Sequence, residues 1–65
     1  MKVRELIRLL EDDGWVQARQ RGSHRRFIHA IKPGHVTVAG NLGDDVRPGT
    51  YRAILRQTGI EDPKQ

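Results

Sequence analysis

Apolar residues near the amino terminus recur with the spacing of an α-helix. Positions i, i+3, i+4 and i+7 of one stripe are Val3, Leu6, Ile7 and Leu10. This pattern predicts an amphipathic helix over residues 2–13. The helix should end at Gly14, because glycine adopts at little cost the left-handed backbone that closes a helix.

A second helical stripe lies near the carboxyl terminus. It consists of Tyr51, Ile54, Leu55 and Thr58. Pro48 suits the first turn of a helix, where its missing N–H is not needed. Gly59 followed by Ile60 predicts the end of this helix. We expect the short tail over residues 61–65 to be frayed.

Between the two helices, apolar and polar residues alternate as they do in β-strands. The alternation predicts strands over residues 15–20, 26–31 and 35–39. In the second strand Phe27 and Ile31 should share one face, and in the third Val36 and Val38 should do so. Arg21-Gly22-Ser23-His24 and Lys32-Pro33-Gly34 are the expected connections, because glycine supplies the positive φ that a tight turn needs.

The predicted order of elements is therefore α-β-β-β-α within a single domain over residues 1–65. Short connections favour a three-stranded antiparallel sheet. Two apolar helix stripes and one apolar sheet face predict an α+β two-layer sandwich with both helices on the same face of the sheet. Within that core we expect Leu6, Ile7, Phe27 and Ile54 to face the interior.

Composition narrows the functional classes. The chain has 65 residues, 31% of them charged, and no cysteine, so disulfides and thiolate metal sites are excluded. A core this small leaves no room to enclose a cofactor, and we expect none. No apolar run approaches the length of a membrane span, which favours a cytoplasmic protein without a membrane partner.

The distribution of charge is more informative than the net charge of +4. No acidic residue occurs between Gly14 and Gly43. The same segment carries five cationic residues, Arg19, Arg21, Arg25, Arg26 and Lys32. A segment of one sign attracts a polyanion such as RNA. The alternative is that these are solvated strand edges, where Lys and Arg suppress aggregation.

The histidines are the candidates for chemistry. Their spacing matches no zinc motif, so no metal site is expected. His24 lies beside Gly22-Ser23 and among Arg21, Arg25 and Arg26. An imidazole can give or take a proton near neutral pH, and arginines can hold a phosphodiester against it. RNA carries its own nucleophile, the 2′-hydroxyl, so a single proton-transfer group with nearby cations can suffice for cleavage.

Three functions remain open on the residues alone. His24 can be a general acid or base in an RNA-cleaving enzyme, or an ordinary polar loop residue. In the second case the chain is a non-catalytic RNA-binding module or a domain that meets an acidic protein. We interpret His29 and His35 as ordinary strand residues, because neither lies in a comparable cluster, and Trp15 and Tyr51 as core residues.

The order of several short motifs resembles the HicA toxin family. They are Gly14-Trp15-Val16 after the first helix, Arg21-Gly22-Ser23-His24, and the run from Pro48 to Leu55 followed by Gly59-Ile60. The resemblance extends from Val3 to about Glu61. It implies a fold like the double-stranded-RNA-binding domain, and an mRNA interferase that needs no cofactor.

The resemblance also implies roles for particular residues and partners. The essential histidine of the family corresponds to His24. The RNA-binding residues expected around it are Arg21, Gly22, Ser23, Arg25, Arg26 and Lys32. The expected partners are mRNA and a HicB-like antitoxin, with the free toxin a monomer and the inhibited form a hetero-oligomer. The chain departs from the family at Ala39-Gly40-Asn41, where a proline and often a second histidine occur.

Overall fold

The computed structural model describes residues 1–63, and its elements follow the predicted order. They are helix α1 (Val3–Asp12), strands β1 (Trp15–Arg21), β2 (His24–His29) and β3 (His35–Val38), and helix α2 (Pro48–Thr58). Gly14 and Gly59 follow the two helices with positive φ angles of 100° and 75°. The predicted helix ends are therefore confirmed.

The three strands form one antiparallel sheet in the order β1-β2-β3. One apolar cluster fills the space between this sheet and the helices. Its buried members are Val3, Leu6, Leu10, Trp15, Phe27, Val36, Val38 and Ile54. On the opposite side of the sheet Val16 and Ile28 are exposed. Both helices thus cover the same face, as predicted, and Ile7 packs at the margin of the core rather than inside it.

Strand β2 differs from its predicted bounds. It begins at His24 and ends at His29, so His24 belongs to the strand and not to the preceding connection. Ile31, predicted to share the face of Phe27, lies beyond the strand and is 88% exposed. The ring of His29 explains the early end. Its Nδ1 accepts the backbone N–H groups of Ile31 and Lys32, each at 3.0 Å, which turns the chain away from the sheet.

The described part of the tail folds back on the domain. The hydroxyl of Tyr51 donates a hydrogen bond to Oδ1 of Asp62 at 3.1 Å. Burial, followed by this carboxylate, raises the pKa of Tyr51. The prediction of a frayed tail is therefore wrong at Asp62. Lys64 and Gln65 lie outside the described residues.

The loop between β3 and α2 covers the amino-terminal end of α1. The N–H groups of Val3 and Arg4 donate to the carbonyls of Asp44 (2.9 Å) and Leu42 (3.1 Å). These acceptors satisfy N–H groups that have no partner inside the helix. In the described part of the chain, neither helix has the length and apolar character needed to cross a membrane.

Candidate functional site

The face of the sheet turned away from the helices, called here the open face, carries three rows of side chains. Cross-strand pairing places Arg21 opposite His24 in the tip row. The middle row consists of Arg19, Arg26 and Thr37. The third, called here the apolar row, consists of Val16, Ile28 and His35. All eight residues come from the segment without acidic residues, so the open face carries basic, apolar and neutral polar side chains but no acidic one.

A β-bulge brings Arg19 and Arg21 to this face. The pairing of β1 with β2 is regular from Trp15 to Gln17, then shifts, so that Arg19 pairs with Arg26 and Ala18 is the extra residue. Side chains of a strand alternate between the two faces, and one extra residue reverses the alternation beyond it. Without the shift, Arg19 and Arg21 would lie on the same face as Trp15, which is buried against the helices.

The tip and middle rows line a groove of about 170 Å³ together with Arg25. This volume is below the range of about 300 to 1,000 Å³ typical of small-molecule pockets, so the groove suits part of a surface-bound polymer. Within residues 1–63, the imidazole of His24 and the guanidinium groups of Arg19, Arg21 and Arg26 make no intramolecular hydrogen bond or ion pair. Four cationic or titratable side chains are thus open to a ligand.

The β1–β2 hairpin fixes the position of His24 relative to Arg21. Only Gly22 and Ser23 separate the two strands. Gly22 has φ +59° and Ser23 has a negative φ, which fits a type II′ turn with glycine at its first central position. The amide of Gln20 also donates to the carbonyl of Gly22 at 3.0 Å. Gly22 and Ser23 therefore form the turn that fixes β1 and β2 at one end of the groove, but they do not line the groove.

Arg25 plays a different role from its neighbours. Its Nη1 donates to the carbonyl of Gly40 at 3.0 Å, and its side chain is half-buried. Arg25 pairs with Val38, which is buried in the core, so its side chain leaves β2 on the helix side. The guanidinium ties the loop after β3 to the sheet, so Arg25 contributes to the wall of the groove but its Nη1 is already bound to a backbone carbonyl.

Lys32 lies at the other end of the sheet from His24. Its ammonium donates to Oδ2 of Asp13 (2.5 Å) and to the carbonyl of Thr58 (2.7 Å). The hydrogen bond from Lys32 is the main reason that the pKa of Asp13 is lowered, and the indole of Trp15 also donates to this carboxylate. Lys32 thus joins the carboxyl ends of α1 and α2, and the structure does not bring it to the groove.

His29 belongs to the same structural network. Nδ1 accepts two backbone N–H groups, so the proton of the neutral ring is on Nε2, which donates to the carbonyl of Asp13 at 2.7 Å. The ring also packs edge-on against Trp15, with centroids 5.2 Å apart. Both nitrogens are occupied, which leaves His29 without a free site for chemistry.

The structure therefore divides the predicted site. It brings Arg21, Arg26 and His24 together in one groove and gives Arg25 and Lys32 structural partners. Sequence reasoning missed Arg19 and Thr37 as groove residues. The spacing could have shown Arg19, because Arg19 and Arg21, like His24 and Arg26, are two residues apart and so share a strand face.

The acidic pair after β3 is bound within the domain. Oδ1 of Asp45 pairs with the ammonium of Lys2 at 2.9 Å, and this hydrogen bond is the main cause of a lowered pKa of Asp45. Oδ2 of Asp44 accepts the N–H of Asn41 at 2.9 Å. Among the described residues, no three His, Asp or Glu side chains are grouped so that they could hold a metal ion.

Comparison with models of known protein families gives a match. The model of a family described as the HicA toxin of bacterial toxin–antitoxin systems matches residues 3–60. The matched segment contains both helices, all three strands and every residue of the groove. No curated protein sequence matches the chain.

Proposed function

Since the chain belongs to the HicA toxin family of bacterial toxin–antitoxin systems, we propose that it is a metal-independent endoribonuclease that cleaves mRNA with His24. One observation carries this proposal. His24 lies in an open groove with Arg19, Arg21 and Arg26, and none of the four side chains makes an intramolecular hydrogen bond or ion pair in the described chain. A proton-transfer group beside three free guanidinium groups is suited to a phosphodiester substrate.

The proposed reaction uses the nucleophile that RNA supplies. The imidazole of His24 accepts the proton of a 2′-hydroxyl while the 2′-oxygen forms a bond to the adjacent phosphorus. The bond from phosphorus to the 5′-oxygen of the next nucleotide breaks, and that oxygen takes a proton from the resulting imidazolium or from water. The products are a 2′,3′-cyclic phosphate and a 5′-hydroxyl. DNA has no 2′-hydroxyl, so the groove would bind it without cleaving it.

The arginines account for the stabilisation of charge. Negative charge builds up on the non-bridging phosphate oxygens as the fifth bond to phosphorus forms. Arg21 faces His24 across the hairpin and Arg26 follows it by two residues on the same face, so both can donate to these oxygens. Fixed donors aimed at developing charge typically contribute 10²- to 10³-fold each to the rate.

A toxin of this kind is controlled by its antitoxin. We propose that a HicB-like protein inhibits the chain by covering His24 and the groove arginines with acidic side chains, because complementary charge speeds association and selects the partner. The open face is suited to such a partner because it carries no acidic residue.

The experiment that tests the function uses a short labelled single-stranded RNA and the purified protein. We expect cleavage in the presence of a chelator, with 2′,3′-cyclic phosphate and 5′-hydroxyl ends. A matched oligonucleotide with 2′-O-methyl groups should bind and stay intact. A lack of cleavage, with binding retained, would instead support the non-catalytic RNA-binding module. Cleavage that occurs without the chelator and is lost when the chelator is added would show that a metal ion takes part.

A further inference from the structure

The apolar row is unusual for the solvent side of a small sheet. Val16 is 63% exposed and Ile28 is 48% exposed, and the two residues pair directly across β1 and β2. Directly paired side chains have their Cβ atoms about 4.5 to 5.5 Å apart, so these two form one continuous apolar surface. His35 extends the row onto β3. Nothing in the described chain covers this surface.

The position of the apolar row relates it to the groove. Along β2 the three rows are centred on His24, Arg26 and Ile28, each two residues from the next. Two residues of a strand span about 6.8 Å, which is comparable to the length of one nucleotide in an extended single strand. A single strand of nucleic acid that follows β2 would therefore meet cations at two successive rows and an apolar surface at the third.

The charge of the open face favours a nucleic acid as its occupant. The first two rows supply three unpaired guanidinium groups and no acid lies on this face. A base-paired duplex presents phosphates and sugars outward and keeps its bases stacked inside. A single strand can turn an unstacked base onto a protein surface, which is how most single-stranded RNA is recognised.

We propose that the open face binds single-stranded RNA along β2, with the base of a nucleotide near the cleaved bond packed on Val16 and Ile28. This inference rests on the proposed function for the placement of the cleaved phosphate at the tip row. The following phosphate lies at the middle row. Val16 and Ile28 are then specificity-determining residues that require an unpaired base at one position of the substrate.

The test is a binding cycle that does not depend on catalysis. The probe is a four-nucleotide oligouridylate with 2′-O-methyl groups, together with versions in which each base in turn is removed. The variant Val16→Thr/Ile28→Thr keeps the β-branched shape and strand preference but makes the surface polar. Leu42→Thr is the matched control, because Leu42 is 47% exposed and lies in the loop after β3, outside the rows.

We expect removal of one particular base to weaken binding by wild type about fivefold. This is the lower end of the range for one stacked base, because the surface is aliphatic and not aromatic. The double variant should bind the intact probe about fivefold more weakly and be insensitive to the same base. Leu42→Thr should behave as wild type. Melting temperatures close to that of wild type would show that both variants are folded.

Three results would overturn the inference. In the first, the double variant binds the intact probe as tightly as wild type does. In the second, the double variant loses as much affinity as wild type when the base is removed. In the third, a duplex of the same length binds as tightly as the single strand. Unchanged RNA binding with lost antitoxin binding would assign the apolar row to a protein partner instead. Cleavage of a ribo-oligonucleotide is measured separately, so its absence would reject the proposed function while the binding cycle still decides this inference.

Discussion

At the scale of single residues, the three histidines differ in what their rings contact. His29 has both nitrogens occupied by backbone groups and its ring against Trp15. His35 lies in the apolar row, two residues from the nearest groove residue of its strand, Thr37. His24 is exposed and lines the groove among free arginines. Only His24 combines access to solvent with cations that could hold a phosphate.

Replacement of His24 tests its role in proton transfer. We expect His24→Ala to lower the rate of RNA cleavage by about 10²- to 10⁴-fold, the usual contribution of a general acid or base. An exposed side chain at the end of a hairpin contributes little packing, so the melting temperature and the affinity for a 2′-O-methyl oligonucleotide should change little. Single-turnover cleavage assays measure the effect. Cleavage at the wild-type rate by the folded variant would refute the assignment.

The arginines should separate into two groups. Arg19→Gln, Arg21→Gln and Arg26→Gln should each flatten the salt dependence of RNA binding by about 0.7 units of slope, because each removes one phosphate contact. Arg25→Gln should lower the melting temperature and leave the slope unchanged, because its guanidinium is bound to Gly40.

The control for the arginine series is Arg52→Gln. Arg52 is exposed on α2 and does not line the groove, so neither the slope nor the melting temperature should change. If the three groove variants all keep the wild-type slope, the arginines of the tip and middle rows form a solvated surface and do not contact phosphate.

At the scale of elements, the β1–β2 hairpin depends on the backbone of Gly22. Neither Gly22 nor Gly49 has an atom within 4 Å of the position that a Cβ would take, so the two sites differ in backbone conformation alone. Gly22→Ala should destabilise the fold by about 1 to 2 kcal/mol, because φ is positive there. Gly49→Ala, inside α2, should stabilise it by about 0.4 to 1 kcal/mol. Urea denaturation measures the change in the free energy of unfolding for both variants. If the two changes had the same sign, the backbone conformation at Gly22 would not be what distinguishes the two sites.

The contacts among Asp13, Lys32 and Thr58 should make stability depend on pH. The hydrogen bond from Lys32 lowers the pKa of Asp13 in the folded chain. The stabilisation is therefore complete above the ordinary pKa of an aspartate and is lost as the pH falls below about 4. We expect Asp13→Asn to melt at a lower temperature at neutral pH and to lose less stability on acidification.

Asp12→Asn provides the control for the acid transition. Asp12 is the last residue of α1 and exposed, and it makes none of these contacts. This variant should keep the steep fall of the wild-type melting temperature below pH 4. If Asp13→Asn and wild type show parallel pH curves, other carboxylates cause the acid transition.

At the scale of the whole molecule, the two sides of the sheet carry different kinds of side chain. The helix side holds the apolar core, while the open face carries no acidic residue and holds free cations and the apolar row. Under the proposed function, stability and ligand binding would depend on different side chains of the same three strands. If RNA binds the open face as proposed, substitutions there should change RNA binding with little effect on folding.

Inhibition by the antitoxin is the prediction for the assembled complex. If an acidic surface covers the groove, residues 21–26 should be protected from hydrogen exchange in the complex, and cleavage should fall in proportion to the antitoxin added. Exchange measured on free and bound toxin gives the comparison. Protection restricted to the outer faces of α1 and α2, with His24 still open to solvent, would show that inhibition is indirect.

The sequence by itself determined the order of elements, the buried stripe of each helix and the region of the candidate site. These properties follow from local patterns. Apolar spacing of 3.6 and of 2 residues sets which side of an element is buried, and glycine after each helix marks its end. The absence of acidic residues between Gly14 and Gly43 similarly pointed to a basic surface. The match to the HicA toxin family over residues 3–60 agrees with the resemblance carried by the short motifs.

Only the tertiary structure decided which cations are free and which face they occupy. The bulge at Ala18 reverses the alternation of β1 and puts Arg19 beside Arg26, and no local pattern in that strand marks it. Arg25 and Lys32 donate hydrogen bonds to the carbonyls of Gly40 and Thr58, which lie 15 and 26 residues away along the chain. Whether an arginine or lysine can bind a ligand depends on the acceptors that folding brings within its reach, and those acceptors are distant in sequence.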